Sequence, residues 1–185
     1  MKILITGGTG MVGTSFKNIN TKHELILIGS KDCNLKDSKK TEKLIKKTKP
    51  DAVIHLAAKV GGVKGNSDFV ADFYTDNITI NTNLLNVCHN NNIDKVVSAL
   101  STCIYPDNVT YPLTEDQIHS GPPHESNFGY AYAKRMLDIQ SRALRSQHGR
   151  KYVCAIPNNL YGPNDNFDLL NGHVVPAIIR KIWDA

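Results

Sequence analysis

Tyr130 and Lys134 stand four residues apart in Tyr130-Ala131-Tyr132-Ala133-Lys134, so a helix there presents a phenol and an ammonium on one face, with Tyr132 turned to another. A phenol titrates near ~10 unless a cation stabilises the phenolate, and an ammonium one turn away can supply that cation. Such a pair can exchange a proton with an oxygen that changes between ketone and alcohol. Ser101, upstream in Ser101-Thr102-Cys103-Ile104-Tyr105-Pro106, adds a hydroxyl that can hold the carbonyl while Tyr130 supplies the proton that a hydride acceptor needs. Together the three residues describe a ketone-reducing site, which requires a hydride donor close by.

The place for that donor is at the N-terminus. Gly7, Gly10 and Gly13 in TGGTGMVG give the spacing GxxGxxG directly after the apolar run Lys2 to Thr6. Gly7 can make the tight turn, Gly10 lets backbone approach a pyrophosphate, and Gly13 lets the following helix pack close to the strand. Gly8, Thr9, Met11 and Val12 complete this dinucleotide-binding turn. After the second apolar run comes Ile28-Gly29-Ser30-Lys31-Asp32. Ser30 and Lys31 put a hydroxyl and a cation where a ribose 2′-phosphate would lie, which favours NADP, while Asp32 keeps NAD open. Leu56, Ala57 and Ala58 bring small side chains to the end of a third run, suited either to a passing cofactor or to core packing.

These residues need a scaffold that brings three distant segments together. Strands are expected at 2–6, 24–28, 52–57, 94–100 and 152–156, the last four bounded by turn residues. Helices are expected from the glycine turn to about Asn18, at 38–48, at 68–91 and at 128–148, the last closing at Gly149. The stretch NITINTN in the third of these is β-branched and Asn-rich, a poor helix former. Residues 101–126 carry too many prolines and glycines for a regular element and are expected to form a long loop. A short apolar segment, Val174 to Trp183, ends the chain. Alternation of this kind predicts an α/β fold: a Rossmann-type, doubly wound parallel sheet with helices on both faces.

Composition narrows the function classes. The chain has 185 residues, 41% of them hydrophobic, enough for one well-buried domain. Its formal charge is +5, but much of the lysine lies between Lys36 and Lys49 and reads as a solvated helix face rather than a nucleic-acid site. The four cysteines form no CxxC pair, which argues against a zinc site and a disulfide framework. The N-terminal run lacks the shape of a secretory signal, and no stretch approaches the roughly 20 apolar residues that cross a bilayer. A cytoplasmic protein with no membrane partner is the expectation.

GxxGxxG, a serine after the fourth strand and YxxxK together resemble the extended short-chain dehydrogenase/reductase superfamily. KVGG at 59–62, STCIYP at 101–106, GPPHESNFGYAYAK at 121–134, NLYGPNDNF at 159–167 and GHVVPA at 172–177 are similar to the GDP-L-fucose synthase family within it. The resemblance implies 3,5-epimerisation of GDP-4-dehydro-6-deoxy-D-mannose followed by NADPH reduction of the C4 ketone. It implies Tyr130 as proton donor, Lys134 holding the nicotinamide ribose and lowering the tyrosine pKa, and Ser101 on the carbonyl. Cys103 and His173 become the epimerisation base and acid. By the same resemblance, Pro157, Asn158, Asn159, Leu160 and His173 lie against the cofactor, and Thr102, Asn159 and Lys181 toward the nucleotide-sugar substrate. The family usually has threonine at the place of Asn158, so no hydroxyl contact is carried over there.

The resemblance further implies residues 1–160 as the NADP-binding domain with the catalytic residues, and 161–185 as the start of a substrate-binding region. Family members continue for more than a hundred residues, so most of the C-terminal substrate domain is expected to lie outside this chain, with the sheet edge after the fifth strand unpaired and turnover poor. A homodimer through the helices at 68–91 and 128–148 is also implied. Two other readings keep the fold: a sugar-nucleotide 4-epimerase or dehydratase with retained NAD, and a non-catalytic NADP-binding protein.

Overall fold

A computed structural model describes residues 1–169 and 172–185. Five strands, β1 (Lys2–Thr6), β2 (Glu24–Ile28), β3 (Ala52–His55), β4 (Lys95–Ala99) and β5 (Lys151–Ala155), form one parallel sheet in the order β2-β1-β3-β4-β5. The helices are α1 (Met11–Ser15), α2 (Ser38–Thr48), α3 (Val63–Asp68), α4 (Val70–Asn90), α5 (Phe128–His148) and α6 (Val174–Trp183). The chain winds from β1 to β2 and then crosses back past β1 to β3. Right-handed crossovers therefore place α1 on one face and α2, α4 and α5 on the other. The expected doubly wound α/β sheet is the one observed, and its switch point lies between β1 and β3, where such sheets open a crevice at their carboxyl ends. Among the described residues, no helix is long and apolar enough to cross a membrane.

Burial tracks position in the sheet. Leu4, Ile5 and Thr6 of the central β1 are buried in succession, as a strand covered on both faces requires. In β4 and β5 burial alternates instead: Val96 and Tyr152 face the core beneath α4 and α5, while Val97 and Val153 are 41% and 45% exposed on the opposite face. The Tyr152 hydroxyl donates to the Ile93 carbonyl at 2.9 Å, so this fully buried ring carries no unpaired polar atom into the core. As expected, β5 is an edge strand among the described residues.

Several elements differ from expectation. The first helix is only Met11–Ser15, followed by a 3-10 turn at Phe16–Asn18. The helix expected at 68–91 is α4, and an additional short helix, α3, precedes it, the two separated at Phe69, whose φ of −125° and ψ of 41° leave the helical path. The long loop contains three 3-10 turns, at Thr102–Ile104, Glu115–His119 and Glu125–Asn127. Strand β3 stops at His55, leaving Leu56 and Ala57 in the crossing segment.

The Asn-rich stretch is helical because its asparagines are fastened by tertiary contacts. Asn77 is fully buried; its Oδ1 accepts from the Lys59 amide at 2.9 Å, and its Nδ2 donates to the Lys59 and Phe73 carbonyls at 2.9 and 2.8 Å. Asn83 donates to the carbonyls of Leu35 and Lys36. Side chains that weaken an isolated helix thus clip α4 to the loops after β2 and β3. Lys59 is further held by ion pairs with Asp72 and Asp76. Replacing Asn77 with alanine strands both polar groups of Lys59 and should cost about 2–3 kcal/mol. The exposed Thr75→Ala change on the same helix should stay within about 0.5 kcal/mol. Urea unfolding of both variants measures this, and equal stability of the two would refute the role given to Asn77.

Candidate active site

The glycine turn is built by close approach. Gly7 has φ +72°, and a Cβ there would lie 2.7 Å from the Ala57 nitrogen, so the turn after β1 rests directly on the segment after β3. A Cβ on Gly13 would collide with the Gly7 carbonyl and the Gly8 backbone, which is the close helix packing expected. Gly8 is pinned by its amide donating to the Ile28 carbonyl at 2.8 Å. Gly10 is exposed, with its amide turned back onto Gly7. Thr9 packs over Gly29, and Met11 and Val12 are half-buried at the start of α1. The result is a small-residue cradle at the switch point.

At the end of β2 the Asp32 carboxylate accepts from the Gly29 amide at 2.8 Å and closes the turn. Ser30 and Lys31 remain exposed beside it. One oxygen of the exposed Asp32 carboxylate is thus held by backbone, beside the exposed hydroxyl and cation of Ser30 and Lys31.

Catalytic candidates converge from two elements. Ser101 follows β4, and its Oγ accepts the Cys103 amide at 3.3 Å, starting the 3-10 turn that carries Thr102 and Cys103. The same hydroxyl lies near the phenol of Tyr130 on α5 and favours its ionised form. Lys134, one turn further along α5, is 2% exposed, donates to the Ala99 carbonyl at 2.7 Å and lies 5.9 Å from the centre of the Tyr130 ring. Burial, the largest effect, pushes the Tyr130 phenol above its ordinary value; proximity to Cys103 adds to the rise and Ser101 opposes it. Burial also lowers Lys134 to about 8. The expectation that the ammonium lowers the tyrosine is thus corrected. In this structure burial dominates, Lys134 turns its proton to a backbone carbonyl, and the Tyr130 phenol keeps its proton at neutral pH.

A cavity of about 400 Å³ opens beside this cluster, with Thr102, Cys103, Asp107, His124, Asn127 and Asn158 in its wall. Tyr105, Pro106, Tyr111 and Leu113 supply its apolar side. Leu56, Ala57 and Ala58 are half-buried at the end of β3. Pro157 is half-buried after β5, Asn159 and Leu160 are exposed, and the Asn158 side chain accepts the Asn159 amide at 2.8 Å. His173 precedes α6 and Lys181 lies on it; both are exposed and neither lines the cavity. The structure therefore brings Ser101, Cys103, Tyr130 and Lys134 together, and does not bring His173 or Lys181 into the same wall.

Sequence reading missed two supports of this site. Arg135, 3% exposed, donates from Nε to the Ile104 carbonyl at 2.6 Å and from Nη1 to the Gly121 carbonyl at 2.7 Å, clamping both ends of the long loop to α5. His55 is fully buried, with Nδ1 2.8 Å from Thr6 Oγ1 and Nε2 3.0 Å from Asn81 Oδ1. Burial, aided by Lys134, lowers His55 to about 3, so its ring is neutral. No sequence signal separates Arg135 from an exposed helix arginine; a histidine ending an apolar strand was a visible one.

Comparison with known proteins agrees with this geometry. GDP-L-fucose synthase of Dictyostelium discoideum is 46% identical over 99% of this chain and 59% of its own length. A probable GDP-L-fucose synthase of Drosophila melanogaster is 43% identical over 98% of this chain and 58% of its own. The crystal structure of a GDP-L-fucose synthetase from Naegleria fowleri bound to NADP superposes with a TM-score of 0.91 at 42% identity, covering 100% of this chain and 58% of that one. The chain thus spans under three-fifths of the length of these relatives. The family match runs from residue 3 to residue 185 and takes in every strand and the whole catalytic helix: the chain belongs to the NAD dependent epimerase/dehydratase family.

Proposed function

We propose that this chain carries the NADP-binding and catalytic part of an epimerase-reductase that converts GDP-4-dehydro-6-deoxy-D-mannose to GDP-L-fucose. The observation that carries this reading is the convergence of two groups on Ser101, whose Oγ accepts the amide of Cys103 and lies near the phenol of Tyr130. One hydroxyl thereby sets the distance between a proton donor for a ketone oxygen and a thiol beside the carbons next to that ketone. Residues 1–160 hold the cofactor and these groups, and 161–185 open the region that takes the nucleotide sugar.

The residues present fit NADP. Cβ atoms at Gly7, Gly8 and Gly13 would collide with the chain itself, so only glycines let the turn pack this closely, while Gly10 stays open for the pyrophosphate and Ser30 with Lys31 is exposed where a 2′-phosphate is read. Lys134 and the segment Pro157 to Leu160 would complete the nicotinamide side. When bound, NADPH supplies the hydride for C4. In the reaction Ser101 polarises the C4 carbonyl, which acidifies the protons at C3 and C5. Cys103 is the base that removes them, and His173, exposed ahead of α6 and outside the cavity wall, is the acid that the family resemblance assigns. Tyr130 then gives its proton to the C4 oxygen as the ketone is reduced. Thr102 and Asn159 hold the sugar nucleotide, with Lys181 on its distal part. A homodimer fits the outer faces of α4 and α5, where Tyr74, Tyr132, Met136 and Ile139 are exposed.

Two measurements test this. Tyr130→Phe should lower NADPH oxidation by GDP-4-dehydro-6-deoxy-D-mannose about 10²–10⁴-fold while deuterium uptake at C3 and C5 from heavy water continues. Cys103→Ser should do the reverse, and equal losses in both partial reactions would refute the division of roles. Secondly, the Lys134 ammonium is lost as pH rises through about 8, whereas Tyr130 stays protonated there. Ketone reduction should therefore hold below that pH and decline above it. A rate that persists to 10.5, the ordinary lysine value, would exclude a role for the Lys134 charge.

A further inference from the structure

Thr6, His55, Ser98 and Cys154 stand side by side across β1, β3, β4 and β5, paired in register, so all four side chains leave the sheet on the same face. This is the face under α5, where Cys154 Sγ reaches the Ser141 hydroxyl. The Lys134 charge acts on His55 and on Cys154, the two residues that flank Ser98, which sets its ammonium over this row. The row holds no carboxylate, so the buried cation has a polar but uncharged floor. Among the described residues the acceptor of that ammonium is the Ala99 carbonyl, at the end of β4.

Buried hydrogen bonds join this floor to the helix above it. The Thr6 hydroxyl lies 2.8 Å from His55 Nδ1, and His55 Nε2 lies 3.0 Å from Asn81 Oδ1 on α4. Both ends of the run are backbone: the Ala57 amide donates to Thr6 Oγ1, and Asn81 Nδ2 donates to the Ala133 carbonyl, each at 3.4 Å. An amide only donates and a carbonyl only accepts, so the run has one direction. Thr6 gives its hydrogen to Nδ1, and the ring carries its own on Nε2. Thr6, His55 and Asn81 are all buried, so breaking one bond strands its partner away from solvent. The run spans from the residue before Gly7 to the residue before Lys134.

We propose that His55 and Asn81 are positioning residues for Lys134: they fix the Ala133–Lys134 peptide, and through it the ammonium, at a set distance from the glycine turn that takes the cofactor. The assignment rests on the reading above, in which Lys134 completes the nicotinamide side, and it names what holds Lys134 there. Inside α5 the Ala133 carbonyl also serves the helix, and its second lone pair takes Asn81, so the tertiary bond adds to the helical one. Histidine suits the middle of the run because its acceptor and its donor point in different directions and bridge β1 to α4. Burial and the Lys134 charge keep that ring neutral, so the floor adds no cation beneath the ammonium. Placement matters because a shift of about 1 Å in a catalytic group can cost roughly 10²-fold in rate.

The test follows NADPH affinity by fluorescence on either side of the Lys134 value of about 8, together with thermal stability. Native affinity should be level below that pH, where Lys134 is charged, and step down as the charge is lost above it. Thr6→Val, His55→Leu and Asn81→Leu combined exchange the whole run for apolar groups, a change that is nearly neutral for stability. That chain should melt near the native temperature, yet bind NADPH about tenfold more weakly at neutral pH and lose the step, which a merely structural role would not move. His55→Gln keeps an acceptor and a donor and should retain most of both. Should the triple variant not fold, Thr6→Val alone, which removes one hydroxyl from the run, is read in its place and should show a reduced step. A folded variant of either kind with native affinity and the native step overturns the assignment. So does a loss of affinity that follows thermal stability in every variant, His55→Gln included, because it shows packing alone. A native affinity that stays level well above pH 8 overturns it as well, since Lys134 then does not act on the cofactor. A step present in the native chain and lost in the variant, without NADPH consumption by the keto-sugar, sinks the epimerase-reductase reading and leaves the positioning role standing.

Discussion

The site depends on a run of buried hydrogen bonds through the centre of the sheet. The Ala57 amide donates to Thr6 Oγ1, Thr6 to His55 Nδ1, His55 Nε2 to Asn81 Oδ1, and Asn81 Nδ2 to the Ala133 carbonyl beside Lys134. Each group is donor to one neighbour and acceptor from the other, and only a neutral imidazole can stand in the middle. Burial enforces that neutrality by holding His55 at about 3. The run joins the switch point, where Gly7 rests on Ala57, to α4 and then to the helix that carries Tyr130. The glycine turn and the helix of Tyr130 are thus positioned by one polar spine in an otherwise apolar core.

The same economy recurs in the loop. Residues 101–126 have little regular structure, yet they carry most of the cavity wall, and their order comes from contacts to α5 rather than from their own backbone. Arg135 holds two of their carbonyls, and His119 and Arg142 both reach the Asp138 carboxylate one turn beyond Lys134. A single helix therefore presents Tyr130 on one side and supports on another the loop that brings Cys103 to it. Displacing that helix would move the donor, the thiol and the cavity together.

This division explains what the sequence disclosed. The strands were legible because they are local patterns: short apolar runs ended by glycine, proline or asparagine. The glycine turn and the spacing of Tyr130 and Lys134 were legible for the same reason, since each role is fixed within a few residues. The tertiary anchoring of α4 was not, because Asn77, Asn81 and Asn83 reach elements far away in the chain and propensity reads those residues as weakness. Nor was the hydrogen bond of Asp32 to the Gly29 amide, which orients that carboxylate within its turn. Where side chains act across the fold, composition cannot separate Arg135 from a surface arginine.

The protonation of Tyr130 shows how such tertiary effects change chemistry and not only shape. From spacing alone, an ammonium one turn away should lower the phenol's pKa. Lys134 is itself stripped of water, and it spends a proton on Ala99 while lying beside the face of the ring. Burial is the largest influence on the phenol and disfavours its anion. The balance falls to burial, and Tyr130 keeps its proton. Burial that holds the proton also penalises the anion left by its release, so a Tyr130 that gives its proton to a substrate oxygen must find a cation at that moment, and Lys134, one turn away, is the charge placed to supply it.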